Sequence, residues 1–152
     1  MPRAWFSLLV ITRKTNNKRE RLVSGHLMSQ ILVVDDSKVM RDMIVACLRG
    51  LNGATFTQAG SGLEAIERLS LGDFDAVVLD LNMPDISGIE VLEFVRAQDR
   101  LRQLPIIVVT TRGDDSSRSQ ALEAGASRYM TKPFTPEAIV AAVSELLQPG
   151  PS

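Results

Sequence analysis

Short runs of apolar residues alternate with amphipathic stretches along most of this chain, and this alternation restricts the fold more than any other feature. The run at residues 31–34 is apolar at every position and ends in two aspartates. Strands of this kind are typical of a parallel sheet that is buried on both faces. Four further strands are predicted at residues 55–59, Ala76–Leu79, 105–110 and 127–130.

Five amphipathic segments follow these strands in turn and predict helices. Ser37 can cap the first, which would run to about residue 50 with Val39, Met43 and Cys47 as its buried stripe. The second and third helices are predicted at Gly62–Leu71 and Gly88–Ala97, and the fourth at 114–124 with Gly125 as its C-cap. The fifth is predicted to begin at Pro136 and to bury Ile139, Val143 and Leu146. Five strands alternating with five helices indicate one α/β domain with right-handed crossovers.

Charge is distributed unevenly along the chain. Residues 1–28 carry six basic residues against Glu20 alone, a balance of +5, whereas the remaining residues have a balance of -6. An acidic globule without a basic face is a poor candidate for direct nucleic-acid binding. It is better suited to binding cations or a basic protein.

The basic segment at residues 1–28 is predicted to be an extension outside the globular domain, which spans 29–149 and is followed by a tail at 150–152. Its apolar run at residues 5–11 is shorter than the roughly 20 residues that a membrane-spanning helix needs, so no membrane span is expected. The extension is interpreted as a disordered tail or an interfacial anchor, unless synthesis begins at Met28. Cys47 is the sole cysteine, which excludes an intrachain disulfide and suits a cytoplasmic protein.

Reactive side chains follow four of the five predicted strands. Asp35 and Asp36 end the first strand, Asp80 the third, and Thr110 with Thr111 the fourth, while Lys132 follows the fifth. Ligands of open parallel sheets bind beyond the carboxyl ends of the strands, so these side chains should meet at one edge. Crowded carboxylates resist ionisation unless a cation lies between them, and a small set of oxygen ligands suits Mg²⁺. Asp36 considered alone would be a helix-capping residue.

Four segments at these strand ends resemble the signature blocks of response-regulator receiver domains. They read VVDDSKVMR, VVLDLNMPDISG, VVTTRGD and YMTKPF, and the similarity extends over about residues 30–148. Thr110 lies 30 residues after Asp80, and Lys132 lies 52 residues after it, as in that family. The resemblance implies a flavodoxin-like, doubly wound (βα)5 fold whose five-stranded parallel sheet has the order 2-1-3-4-5.

The resemblance also implies a role for each residue of the site. Asp80 would accept a phosphoryl group from the phosphohistidine of a sensor histidine kinase. Mg²⁺ would be bound directly by Asp36, Asp80 and the backbone carbonyl of Asn82, and by Asp35 through water. Lys132 would pair with Asp80 at rest and with the phosphoryl oxygens afterwards, and its bond to Pro133 is often cis in the family.

The response to phosphorylation would pass through Thr110 and Tyr129. In the family, the hydroxyl at the end of the fourth strand moves to the phosphoryl group, and the aromatic ring on the fifth strand rotates inward. Thr111 stands where a smaller residue is usual, and Arg112 adds positive charge beside it. These two residues, with Asn82, are expected to modulate the rates of phosphorylation and hydrolysis.

Three functions are compatible with such a site. The first is a stand-alone response regulator, of the kind used in chemotaxis, that switches its affinity for a protein target. The contact face would be the fourth helix, fifth strand and fifth helix, and no DNA-binding domain is expected after Leu147. The second is a phosphorelay intermediate or phosphate sink. The third is an aspartate-nucleophile phosphatase, but such enzymes carry a second aspartate where this chain has Asn82, so we expect a switch rather than an enzyme.

Overall fold

Five parallel strands form the central sheet of the computed structural model, which describes residues 22–23 and 26–148. The strands are β1 (Ser29–Val34), β2 (Ala54–Ala59), β3 (Ala76–Leu79), β4 (Ile106–Thr110) and β5 (Arg128–Thr131). Their order in the sheet is β2-β1-β3-β4-β5, and every neighbouring pair is parallel. The α/β fold with strand order 2-1-3-4-5 is therefore confirmed. The bounds of β3 are those predicted, and the bounds of the other four strands differ from the predicted ones by one or two residues.

The helices of the described region begin where the sequence predicted them or one residue later. They are α1 (Lys38–Leu48), α2 (Gly62–Leu71), α3 (Gly88–Ala97), α4 (Asp115–Ala124) and α5 (Pro136–Leu147). The residue before each helix accepts a hydrogen bond from the backbone N–H three residues further on; these N-caps are Ser37, Ser61, Ser87, Asp114 and Thr135. Such caps satisfy a backbone donor that would otherwise lack a partner, and the cap at Ser37 is the one that the sequence predicted.

The core consists of two apolar layers, one on each face of the sheet. Successive side chains of a strand point to opposite faces, so Leu32 and Val34 lie in one layer and Ile31 and Val33 in the other. The first layer packs against α2, α3 and α4, and the second against α1 and α5. All four of these β1 residues are buried. Because both faces of the sheet are covered, a polar site is expected at the ends of its strands.

The predicted buried stripe of α1 was wrong. Val39 is 79% exposed and Met43 is 44% exposed, while Cys47 is half-buried at the side of the second layer. The helix buries Ile44, Val45 and Leu48 instead. Both sets of residues recur at helical spacing, so periodicity alone does not choose between them. If the predicted stripe were buried, Ile44, Val45 and Leu48 would be exposed to water instead. This set presents the larger apolar area, so exposing it costs more free energy.

Helix α4 has the weakest apolar anchoring of the helices, as its composition indicated. Ala121 is its one buried residue, and Leu122 is 42% exposed. Gly125 ends the helix with φ at +112°, a left-handed conformation that favours glycine. The Arg96 guanidinium at the end of α3 donates to the Gly125 carbonyl from Nε at 3.0 Å and from Nη2 at 2.8 Å. Polar contacts therefore attach the carboxyl end of α4 to α3.

The predicted extension lies mostly outside the described residues. Within it, Leu22–Val23 and His26–Leu27 form a two-stranded antiparallel ladder that is separate from the five-stranded sheet. The prediction that residues 1–28 are disordered stays a prediction, and the tail at 150–152 also lies outside the described residues. None of the helices described is long and apolar enough to span a membrane.

Candidate functional site

Three carboxylates meet at the carboxyl edge of the sheet. Strands β1 and β3 are neighbours, and Val34 is paired with Leu79, so the residues that follow them come to lie side by side. The Asp80 backbone N–H donates to the Val34 carbonyl at 3.0 Å. One carboxylate oxygen from each of Asp35, Asp36 and Asp80 lies within 4.8 Å of the other two. The predicted convergence is present.

Asp80 has a buried carboxylate oxygen for which the described residues supply no hydrogen-bond donor. Its residue exposure is 5%, and its Oδ1 is buried without a hydrogen-bond donor in the described part of the chain. Burial raises the pKa of Asp80, and the nearby charge of Asp35 adds to this, while Lys132 acts in the opposite direction. A buried carboxylate oxygen without a donor is available to a cation or an electrophile.

Asp35 is satisfied by donors from two parts of the chain. Its Oδ1 accepts from the Ser37 backbone N–H at 2.9 Å, and its Oδ2 accepts from Lys132 Nζ at 2.6 Å. The predicted resting pair of Lys132 with Asp80 is looser, because that Nζ–Oδ2 distance is 3.7 Å. The predicted ion pair of Lys132 with Asp80 is thus present, and Lys132 makes a second, closer pair with Asp35. Asp35 is the less exposed of the two carboxylates, at 2%, and so gains more from a compensating charge.

The donor set fits a hard divalent cation. Oxygens of three carboxylates lie within 4.8 Å of one another, and one of the three, Asp80, offers a buried oxygen that has no donor among the described residues. Asp36 is exposed, which leaves room for water in the coordination shell. Few carboxylates together with water are the ligands that Mg²⁺ prefers, so the cluster is compatible with Mg²⁺ binding.

The hydroxyl groups predicted for the site lie beside Asn82. Thr110 is fully buried and Thr111 is exposed. The Asn82 side-chain Nδ2 donates to Thr111 Oγ1 at 3.3 Å and lies 3.5 Å from Thr110 Oγ1. The Arg112 backbone N–H also donates to Thr110 Oγ1, at 3.4 Å. These bonds are long, so they hold the Thr110 hydroxyl weakly as an acceptor. The hydroxyl also contacts Asp80, where its hydrogen bond lowers the pKa of the carboxyl, against the larger rise that burial causes.

Tyr129 connects β5 to the loop that follows β4. Its hydroxyl donates to the backbone carbonyl of Arg112, and its ring packs against the apolar layer beneath α4. Burial raises the pKa of Tyr129, and the nearby Asp114 adds to this. Arg112 is exposed, and its contact to Tyr129 comes from its backbone carbonyl. The effect predicted for its side-chain charge stays a prediction.

The backbone at Lys132 has the conformation that the resemblance implied, whereas the contacts of Asp85 were not predicted from the sequence. The peptide bond from Lys132 to Pro133 is cis, as the resemblance implied. Sequence analysis missed Asp85, whose carboxylate accepts from the backbone N–H groups of Gly62 and Leu63 at the start of α2. These partners are 23 and 22 residues away, so no local pattern marked them.

Comparisons with known proteins agree with this geometry. The family model for the response regulator receiver domain matches residues 31–144. The chain is 36% identical over 119 residues to the chemotaxis protein CheY of Pseudomonas aeruginosa, covering 78% of this chain and 96% of that protein. It is 40% identical over 106 residues to the chemotaxis protein CheY-3 of Vibrio cholerae, covering 70% and 82%. The crystal structure of chemotaxis protein CheY4 of Vibrio cholerae superposes with a TM-score of 0.73 at 31% identity, covering 79% and 99%.

Proposed function

This chain belongs to the response regulator receiver domain family, and on that premise we propose that it is a switch controlled by phosphorylation of Asp80. The phosphoryl donor is the phosphohistidine of a sensor histidine kinase. The phosphorylated form has an altered affinity for a target protein, as in a stand-alone regulator. The relatives named as chemotaxis proteins make a chemotaxis pathway the first to examine.

One observation carries the proposal: Asp80 Oδ1 is buried and accepts no hydrogen bond in the described region. In the transfer step, a carboxylate oxygen of Asp80 forms a bond to phosphorus while the bond from phosphorus to the donor imidazole nitrogen breaks. The products are an acyl phosphate on Asp80 and a histidine on the kinase, which takes up a proton. An oxygen that no protein donor occupies is free to make that bond.

The surrounding residues supply charge and position. Mg²⁺ would be held by Asp36, Asp80 and the Asn82 backbone carbonyl, with Asp35 through water, and would neutralise charge on the transferring phosphoryl group. Lys132 Nζ lies 2.6 Å from Asp35 and 3.7 Å from Asp80, so a small movement brings it to a phosphoryl group on Asp80. Its compact ammonium on a flexible stem suits that exchange.

The output follows from the contacts of Thr110 and Tyr129. The Thr110 hydroxyl is held by long bonds and can turn toward a phosphoryl oxygen on Asp80. That movement disturbs the loop after β4, to which the Tyr129 hydroxyl is bonded. The face formed by α4, β5 and α5 is therefore the proposed contact surface for the target.

Asn82 favours a switch over a phosphatase. A phosphatase that works through an aspartyl nucleophile needs an acid or base near the leaving group, and an amide does not transfer protons at neutral pH. The Asn82 amide donates instead toward the hydroxyls of Thr110 and Thr111. The site can thus accept a phosphoryl group without a residue suited to release it rapidly.

Phosphorylation with a small donor tests the proposal. Acetyl phosphate with Mg²⁺ should add one phosphoryl group to the wild-type protein, as measured by intact-protein mass spectrometry, and Asp80→Asn should abolish the addition. Asp99→Asn is the matched control, because the Asp99 side chain is 95% exposed and far from the strand ends in sequence. Equal labelling of wild type and Asp80→Asn would refute the assignment.

A further inference from the structure

The segment that joins β3 to α3, residues 81–87, contains Asn82 and is attached at both ends. The Gly88 backbone N–H donates to the Leu81 carbonyl at 3.1 Å, which closes the segment into a loop. A Cβ atom on Gly88 would lie 2.5 Å from the Asp80 carbonyl oxygen, so α3 begins in direct contact with the backbone of Asp80. The two ends of the loop are thus fixed next to the acidic cluster.

The middle of the loop is attached by Asp85. Its Oδ1 accepts from the Gly62 N–H at 3.1 Å, and its Oδ2 accepts from the Leu63 N–H at 2.9 Å. These bonds lower the pKa of Asp85, with the Leu63 bond the largest cause, so the carboxylate is ionised at neutral pH. A Cβ atom on Gly62 would lie 2.4 Å from Ile86 Cγ1, which shows how closely the loop approaches α2.

Capping of α2 does not by itself account for this contact. Ser61 already caps the helix, because its Oγ accepts from the Glu64 N–H at 3.1 Å. Asp85 satisfies two further N–H groups of the same first turn and comes from a distant part of the chain. The contact therefore fixes the loop relative to α2 in addition to stabilising the helix start.

We propose that Asp85 is a positioning residue for the metal site, acting on Asn82 through the loop that both share. This inference rests on the proposed function, in which the Asn82 backbone carbonyl is a ligand of Mg²⁺. Asn82 lies between the attachment at Leu81 and the attachment at Asp85, so its backbone is constrained on both sides. Without the Asp85 carboxylate, the loop keeps its two ends and the close approach of Ile86 to Gly62, but it loses both hydrogen bonds to the start of α2.

The test compares two ways of weakening the same helix end. Asp85→Ala removes the link between loop and helix, whereas Ser61→Ala removes a cap of α2 and leaves the link in place. Both variants lose acceptors for N–H groups at the start of α2, so both should lower the melting temperature. We expect Asp85→Ala to weaken Mg²⁺ binding about tenfold, as typical for residues that orient metal ligands, and Ser61→Ala to leave it unchanged.

Binding is measured by titrating each protein with MgCl₂ and following backbone amide NMR shifts. Asp85→Asn is the second variant, because an amide oxygen keeps one of the two acceptors, and its affinity should lie between wild type and Asp85→Ala. Wild-type affinity in Asp85→Ala, or an equal loss in Ser61→Ala, would overturn the positioning role alone. A wild-type protein that did not bind Mg²⁺ would overturn the proposed function and this inference with it.

Discussion

The three carboxylates of the acidic cluster are alike in chemistry and differ in what surrounds them. Asp35 has a protein donor on each oxygen, Asp80 has a buried oxygen with none in the described region, and Asp36 is exposed. Ionised carboxylates without donors are costly in a protein interior. Asp80, the residue proposed to react, therefore carries an unfavourable burial energy when it is ionised. This energy connects its chemistry to the stability of the fold.

Asp80→Asn should therefore raise the melting temperature at pH 7 in the absence of Mg²⁺. Burial raises the pKa of Asp80 above its ordinary value of 3.8, so the folded state binds this proton more tightly than the unfolded state. Stability is then lost as pH rises from the unfolded pKa through the raised folded pKa, and the loss is complete above it. Asparagine carries no charge and avoids that loss.

The measurement is thermal unfolding of wild type and Asp80→Asn from pH 3 to pH 8 with a chelator present. The difference in melting temperature should shrink below about pH 4, where the Asp80 carboxyl is protonated in both states. Asp99→Asn, at an exposed position, should match wild type throughout. A difference that is independent of pH would show that shape, not charge, separates the two proteins.

At the scale of the elements, strand β4 carries the proposed signal to α4 through the Thr110 hydroxyl. A charge-assisted hydrogen bond to a phosphoryl oxygen contributes about 1.5–3 kcal/mol. A shift of a two-state population from 1:99 to 99:1 needs about 5.5 kcal/mol, so this bond cannot complete it alone. Lys132 and rearrangement of Tyr129 are expected to supply the rest.

Thr110→Val keeps the shape of the side chain and removes its hydroxyl. The variant should still accept a phosphoryl group on Asp80, but the NMR shift changes in α4 on beryllofluoride addition should be smaller than in wild type. Thr110→Ala should behave in the same way. A full wild-type response in Thr110→Val would show that the hydroxyl is not the trigger.

Local signals account for what could be predicted about these elements. The five strands followed from apolar runs, and the start of α1 followed from the capping residue Ser37, which acts within three residues. The buried face of α1 did not follow from local signals, because two sets of its residues recur at helical spacing. Packing against the sheet decides which set is buried. The bonds from Lys132 to Asp35 and from the Gly62 N–H to Asp85 span 97 and 23 residues, so they depend on the assembled fold.

At the scale of the whole molecule, Arg96 joins three parts of the chain. Besides its two bonds to Gly125, its Nη1 donates to the carbonyls of Leu101 at 3.3 Å and Arg102 at 2.9 Å. A planar guanidinium can serve these acceptors together, whereas a lysine ammonium is a single point of charge. The end of α3, the loop after it and the end of α4 are thereby held as one unit.

Arg96→Lys should loosen the end of α4 without affecting the site. Backbone amide hydrogen exchange at Gly125 and Ala126, whose N–H groups bond to Leu122 and Ala121, should accelerate several-fold. Arg102→Lys is the control, because Arg102 makes an exposed pair with Asp99. Equal protection in wild type and Arg96→Lys would mean that the Gly125 conformation alone secures this end.

The bonds from Arg96 hold the carboxyl end of α4, at Gly125, against α3. Its ten residues span about 15 Å at 1.5 Å per residue, so a tilt of 10° would carry the far end by about 2.6 Å and leave the end at Gly125 almost still. An open groove of about 410 Å³, lined by Leu81, Glu90, Arg112, Ser117 and Gln120 among others, lies beside that far end. The displacement caused by such a tilt grows with distance from Gly125, so the proposed target would detect the state of Asp80 best through a contact with α4 near Asp115.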